Sequence, residues 1–408
     1  MTRGNVEYWI DHASEHPENN GIQRVSRYLA RGLQDLGRES GFDLEFRCWD
    51  ERRKRPRPAT RREVRKFGRF NGPERSSTSS PWWWRSTRRP SGWLLVPETT
   101  YTTGEGVLRD ADLASDLIAE AHSRGLKTAF LFHDLLPVTI GDDELQRLRH
   151  EHYARALSKA DLLLPVSSFA ANELRAFFRA RDLPAPRIDV CRLAGEFVGH
   201  QRVTTTRKPD GGSCVEILCV SSMSPRKNQR GLLRVFNAFC RGHPEAEVRL
   251  TLVGHFFRPW LDEIERLAEG NPRLVIAGYR DDNGLAELYR RAHFTVFPSI
   301  AEGYGMPIVE SLWFGKPCLC ANFDAMAEVS TGGGCLLVDT RSEEALEHGL
   351  TRLILEAELR RRLTMEAVAR PMATWLEYAG RVLAAIDRAS GRSELESAAV
   401  SLAPCARP

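Results

Sequence analysis

The sequence has no run of about 18 or more uncharged apolar residues, so no segment of it predicts a membrane-crossing helix. Its opening stretch, MTRGNVEYWIDHASE, lacks the basic and then apolar regions of a secretory leader, and a cytoplasmic location is the expectation. No two of the nine cysteines stand at CxxC spacing, which removes the usual zinc pattern. They are odd in number and sit in apolar runs such as CVEILCV and PCLCAN, as reduced, buried thiols do. No internal period of about 20–50 residues exists, which excludes a solenoid. No DxD triplet follows a strand-like run. The acidic pairs in GDDE (from 141) and RDDNG (from 280) stand where helices are expected to begin, so they read as caps rather than metal ligands. Metal-independent chemistry, with no cofactor, is the expectation.

What is present fits a soluble globular protein: 408 residues, 42% hydrophobic and 27% charged. The length predicts two domains of roughly 200 residues, each able to bury its own core. The net charge of +4 is unevenly spread: residues 52–89 hold fourteen Lys/Arg against only Glu63 and Glu74, leaving the remainder acidic. A uniformly basic nucleic-acid binder is thereby disfavoured.

Apolar strand-like runs alternate with amphipathic stretches along the chain, starting with VEYWID and the helical pattern GIQRVSRYLARGLQDLG. Alternation of this kind predicts an α/β protein with parallel, doubly wound sheets. A polar stretch, HQRVTTTRKPDGG, interrupts the rhythm before it restarts at CVEILCVSS, so a boundary is expected there. The reading is of two Rossmann-like domains, 1–205 and 206–370, facing each other across a cleft. A C-terminal helix within 371–408 packs back on the first domain and ends in a polar tail. Ligands of such sheets bind beyond the carboxyl ends of the strands, so residues just after strands carry the information.

After the strand HFTVFPS comes IAEGYGMPIVESLWFG, a glycine-bearing loop opening into a helix. The open amides of the helix suit an anion, and Gly303 and Gly305 permit close backbone approach around Tyr304. Taken singly, Glu302 fits a loop surface charge and Glu310 a solvated helix residue; together with the glycines they form a site able to accept hydrogen bonds from sugar hydroxyls. After CVEILCV, Arg226 and Lys227 stand at a helix entrance, where two cations suit a diphosphate leaving group, although such a pair alone is usually solvated. His133 and Asp134 follow the strand KTAFLF in the first half. A histidine there is more often structural, although the position of His133 at the cleft edge also suits catalysis, and a sugar-hydroxyl contact is what the family resemblance below implies for it.

The pattern E-G-Y-G-x-P-x-x-E-S-L, with its glutamates eight positions apart, resembles the signature of retaining glycosyltransferase family 4. The resemblance implies the two-domain GT-B fold and a hexosyltransferase. Glu302 and the Gly303–Gly305 backbone would hold the donor sugar of a nucleotide-diphosphate sugar co-substrate, and Glu310 the ribose hydroxyls. SPRKN resembles the family's phosphate-binding segment. Many relatives carry an arginine six positions before the lysine, where this chain has Ser221. HDLLP resembles the segment facing the donor sugar, and Asn20–Gly21 the family's N-terminal glycine loop. Gln23 and Arg24 follow in the first turn, and Arg24 fits acceptor, phosphate or solvent equally. Tyr279 and Arg280 fall where relatives hold the base. Retention, and front-face displacement in which the leaving phosphate deprotonates the acceptor, are likewise implied, with a mannose-, rhamnose- or glucose-like sugar moving to a glycan or lipid-linked acceptor. Rival readings are a hydrolase or epimerase on the same scaffold, and a silent sugar-binding module.

Residues 51–92 combine the arginine run with SSTSSPWWWRSTRRPSG, and their composition predicts a loop without a core. Such a segment suits an anionic membrane surface through 52–89, making the protein peripheral on the inner face, whereas nucleic-acid stacking on Trp82–Trp84 is the weaker reading.

Overall fold

The computed structural model describes residues 6–15, 19, 21–38, 42, 44–68, 92–100, 113–141, 143–205, 214–256, 258, 260–268 and 270–391, with helical backbone continuing to 40. The first sheet holds β1 (Val6–Trp9), β2 (Leu44–Asp50), β3 (Arg55–Pro58), β4 (Trp93–Val96), β5 (Lys127–Phe132), β6 (Leu162–Pro165) and β7 (Arg187–Ile188). Its order is β3-β2-β1-β4-β5-β6-β7, and only β3 runs antiparallel. The second holds β8 (Val215–Val220), β9 (Val248–Val253), β10 (Leu274–Gly278), β11 (Phe294–Phe297), β12 (Cys318–Ala321) and β13 (Cys335–Val338), in the order β10-β9-β8-β11-β12-β13, all parallel. Both sheets therefore reverse direction once, between β1 and β4 and between β8 and β11, and each reversal opens a crevice at the carboxyl ends.

The central strands are apolar runs because helices cover both of their faces. Side chains alternate accordingly: Leu95, Leu131 and Leu164 join one core of the first domain, whereas Leu94, Val96, Phe130 and Phe132 join the other. The last described helix, Trp375–Ala389, begins at a Thr374/Glu377 capping box and returns to the first domain. Its Trp375, Tyr378, Ala379 and Val382 complete the core beneath helix Gly21–Ser40. Gly32 makes this approach possible, since a Cβ there would lie 2.7 Å from the Trp375 carbonyl oxygen.

The basic segment corrects its expectation in part. Residues 51–68 are an ordered turn, edge strand β3 and helix Arg61–Gly68 rather than a coreless loop. Phe67 is fully buried against Phe46, ring centroids 5.5 Å apart, and Arg27 donates to the Phe67 carbonyl at 3.1 Å. Two apolar residues, Val64 and Phe67, are enough to seat the helix while its arginines stay outside. Pro56 and Pro58 interrupt amide donors on the edge strand. Trp82–Trp84, Asn20, the interdomain stretch 206–213 and the tail beyond 391 lie outside the described residues.

Candidate functional site

The segment after β11 carries Glu302, 8% exposed, and ends at Gly305, whose φ of 102° is open to glycine at no steric cost. Gly305 caps helix Met306–Trp313, in which Glu310 is 4% exposed. After β8, a single 3₁₀ turn, Pro225–Lys227, delivers the two cations to the same place. Lys227 Nζ lies 2.5 Å and Arg226 Nη1 2.9 Å from Glu302 Oε1, and Ser299 Oγ donates to that oxygen at 2.6 Å. All three contacts fall on Oε1, so Glu302 Oε2 takes no partner among the described residues. Burial alone would push the Glu302 carboxyl up, but Lys227 and Arg226 hold it below its ordinary range. Burial lowers the Lys227 ammonium, with Glu302 opposing. Two cations against one carboxylate leave the cluster positive, as an incoming diphosphate requires.

The first domain closes on this cluster at one point. A Cβ on Gly303 would stand 2.1 Å from the His133 carbonyl oxygen and 2.7 Å from Asp134 Cβ, so only glycine fits between the two domains here. Ser167 Oγ donates to the Gly303 carbonyl at 2.7 Å, fixing the contact. His133 Nε2 lies 2.8 Å from the Pro97 carbonyl oxygen, which can only accept; Nε2 therefore carries the hydrogen and Nδ1 the lone pair. Burial lowers the His133 pKa, so the ring is neutral near pH 7. Nδ1 takes no partner among the described residues and can accept a hydroxyl proton in a hydrogen bond. Asp134 turns its carboxylate to the Leu136 amide at 3.1 Å and so shapes the turn.

Tyr304 was expected to offer the donor its backbone, and its side chain is turned elsewhere. Its hydroxyl donates to the Leu193 carbonyl at 2.8 Å and its ring packs against the cores of both domains, leaving its backbone to the site. Gly21 opens helix Gly21–Ser40, with nothing within 4 Å of where a Cβ would stand. Tyr279 and Arg280 follow β10: Tyr279 is 38% exposed with its ring 4.6 Å from that of His255, and Arg280 donates to the Tyr279 carbonyl at 2.9 Å. Of the acidic pairs, Asp143 and Asp281 cap helices by accepting from the Gln146 and Gly284 amides.

Asp282 does something the sequence did not disclose. With Glu310 it forms an acidic wall facing the first domain, and Arg24 reaches across to both: Nη2 lies 2.7 Å from Asp282 Oδ1, and Nη1 donates to Glu310 Oε1. Tyr289 OH donates to Glu310 Oε2 at 2.8 Å, while Tyr28 OH (3.0 Å) and Asn19 Nδ2 (3.2 Å) serve Asp282 Oδ2. Burial would lower the Arg24 pKa, but Glu310 and Asp282 hold it above its ordinary value, so the guanidinium stays charged. The arrangement can neutralise a diphosphate at Arg226 and Lys227, and hold hydroxyls at Glu302 Oε2, His133 Nδ1 and Glu310.

Comparison with known proteins shows what this chain resembles. Residues 215–356 match the family model of glycosyl transferases group 1. The chain is 28% identical over 250 residues to O-antigen chain mannosyltransferase B of Escherichia coli, covering 58% of this chain and 64% of that protein. It is 26% identical over 220 residues to the serotype-specific mannosyltransferase WbdA of the same organism, covering 50% of this chain and 26% of WbdA. The alignments thus span less than two thirds of these relatives. Among solved structures, sucrose-phosphate synthase from Thermosynechococcus elongatus superposes with a TM-score of 0.67 at 14% identity, covering 96% of this chain and 100% of that one. HepE from Anabaena, solved in complex with UDP, gives 0.62 at 13% identity over 94% of this chain and 100% of its own. The chain has the two-domain GT-B fold, and its residues 215–356 are similar to the glycosyl transferases group 1.

Proposed function

We propose that the protein transfers a hexose from a nucleotide-diphosphate sugar to a glycan or lipid-linked acceptor during polysaccharide synthesis. The observation that carries the reading is the Glu302–Lys227–Arg226 cluster, pressed through Gly303 onto His133 of the other domain. Two relatives that are mannosyltransferases by name support a mannose-like donor sugar. In this reading Arg226 and Lys227 neutralise the charge that grows on the leaving diphosphate, which makes a metal ion unnecessary. Glu302 holds these cations through Oε1 and leaves Oε2 to accept from a donor-sugar hydroxyl. The His133 ring, fixed by Pro97 with Nδ1 bare, accepts from another. The Asp134 carboxylate beside the cluster is turned to the Leu136 amide. Retention would then arise by front-face displacement, with the leaving phosphate oxygen taking the acceptor's proton. Glu310 accepts from the ribose hydroxyls, and Tyr279 and Arg280 border the base.

The acceptor side falls to the first domain and its cationic lip. The turn following β2 lies at the carboxyl edge of the sheet, the same edge as His133, and Arg52, Arg53, Arg55, Arg62, Arg65 and Lys66 are exposed on this turn, β3 and the next helix. Glu51 and Glu63, the acids of this stretch, are already paired with Lys54 and Arg57. An anionic bilayer would meet the cleft mouth here, placing the enzyme peripherally on the inner membrane face; among the described residues no helix is long and apolar enough to cross a membrane. Glu302→Ala and Glu310→Ala separate the roles. The first is expected to lower turnover of the donor with little change in nucleotide affinity, the second to weaken nucleotide binding. Equal and negligible effects would refute the assignment.

A further inference from the structure

Glu310 is the carboxylate assigned above to the donor ribose, yet both of its oxygens are engaged by side chains, Oε1 by Arg24 and Oε2 by Tyr289. It is only 4% exposed, so a vicinal diol reaches it by displacing a partner rather than by adding one. Tyr289 is fully buried in the second domain, stacked at 5.2 Å on Phe314, and has no room to leave. Arg24 comes from the opposite domain, at the start of helix Gly21–Ser40, and holds a second carboxylate, Asp282, which can retain it alone.

We propose that Arg24 is an exchangeable latch on the donor site, holding Glu310 across the cleft until the hydroxyls of a nucleoside diphosphate's ribose replace it. The inference rests on the assignment of Glu310 to the ribose. The exchange is balanced: hydroxyl donors take over from guanidinium N–H donors on Glu310, so the buried carboxylate is never left unpaired, and the guanidinium keeps Asp282 as its counter-ion. Asp282 is itself held by Tyr28 and Asn19, which keeps the latch's anchor in place while its other contact opens. A site that must first release Arg24 binds nucleotide more weakly than the same site with the latch removed, by a factor equal to the inverse of the fraction of time that the latch is open. Arg24 is therefore a positioning residue that sets donor affinity.

The test is calorimetric titration of the full chain with UDP and with GDP, each alone, in wild type and Arg24→Met, whose side chain retains much of the apolar stem. The expected result is a Kd at least fivefold lower in Arg24→Met, and loss of that gain in Arg24→Met/Glu310→Gln. Unchanged affinity overturns the latch, and weaker affinity assigns Arg24 to the donor as a direct ligand, which also overturns it. If neither nucleotide binds wild type or Arg24→Met, ADP and TDP are titrated in the same way, and binding of none of the four fells the donor-site reading and the latch with it. Should Arg24→Met fail to fold, Arg24→Lys decides: a single ammonium cannot span both carboxylates as the guanidinium fork does, and a smaller gain of the same sign is expected.

Discussion

Gly303→Ala tests the meeting of the two domains most sharply. The new Cβ would stand 2.1 Å from the His133 carbonyl oxygen, whereas ordinary contact begins at 3.4 Å, so the gap has to open by about 1.3 Å. Neither side yields locally. The obstacle is backbone, the Asp134 turn is tied by the Leu136 amide and by His150, and Ser167 grips the Gly303 carbonyl. Relief therefore comes from moving Glu302 and its cations away from His133. A displacement of about 1 Å at a reacting centre costs on the order of 100-fold in rate, and overpacking costs about 1–3 kcal/mol in stability. The assay is nucleotide release from the donor sugar under saturating conditions, alongside nucleotide affinity by calorimetry. Turnover is expected to fall about 100-fold, while affinity, resting on Glu310 and the 3₁₀ turn, changes only a few-fold. Gly380→Ala is the control: a Cβ there meets nothing within 4 Å, and turnover should match wild type. Turnover of Gly303→Ala within threefold of wild type would refute the idea that this contact sets the reacting geometry.

Other expectations follow from the first domain. Glu98, fully buried after β4, accepts from the His12 and Ala13 amides at 2.8 and 3.0 Å, and burial pushes its carboxyl up to about 8 from an ordinary 4.5. Its folded pKa is thus raised, so the stability it contributes is complete below about 4.5 and is lost as pH climbs through 8. The Tm of wild type relative to Glu98→Gln should fall steadily from pH 5 to pH 8.5; a constant difference would mean that the two amides keep Glu98 ionised throughout. The cationic lip predicts that replacing Arg53, Arg55, Arg62 and Arg65 with Ser weakens binding to phosphatidylglycerol vesicles, each cation contributing about 1 kcal/mol, without lowering Tm. Unchanged co-sedimentation would remove the membrane role.

What the sequence disclosed and what it hid divide along physical lines. Glu302, Arg226, Lys227 and His133 were legible as candidates because each lies in the segment that follows an apolar strand-like run, and the carboxyl ends of parallel strands are where such sheets present ligand contacts. The Arg24 bridge was not. Its carboxylates lie 258 and 286 positions away along the chain, and pairs between domains leave no local period. Asp282 stood beside the capping Asp281 and read as part of the same helix start. Tyr289 is a core aromatic whose hydroxyl meets Glu310, and nothing local in the sequence announces that contact. Helix Arg61–Gly68 was hidden by charge: with Val64 and Phe67 as its apolar residues, its composition matched a loop. The side chain of Tyr304, of which the sequence reading said nothing, serves the domain junction at Leu193.

The most direct test of the donor site is a thermal-shift titration of the full chain with UDP, GDP, ADP and TDP, repeated with Glu310→Ala. At about 100 times its Kd, a nucleotide that binds only the folded state adds about 2.7 kcal/mol, which raises Tm by several degrees. The expected result is a clear rise with one of the four, greatly reduced in Glu310→Ala. No rise with any of them would contradict the reading of this chain as a nucleotide-sugar glycosyltransferase.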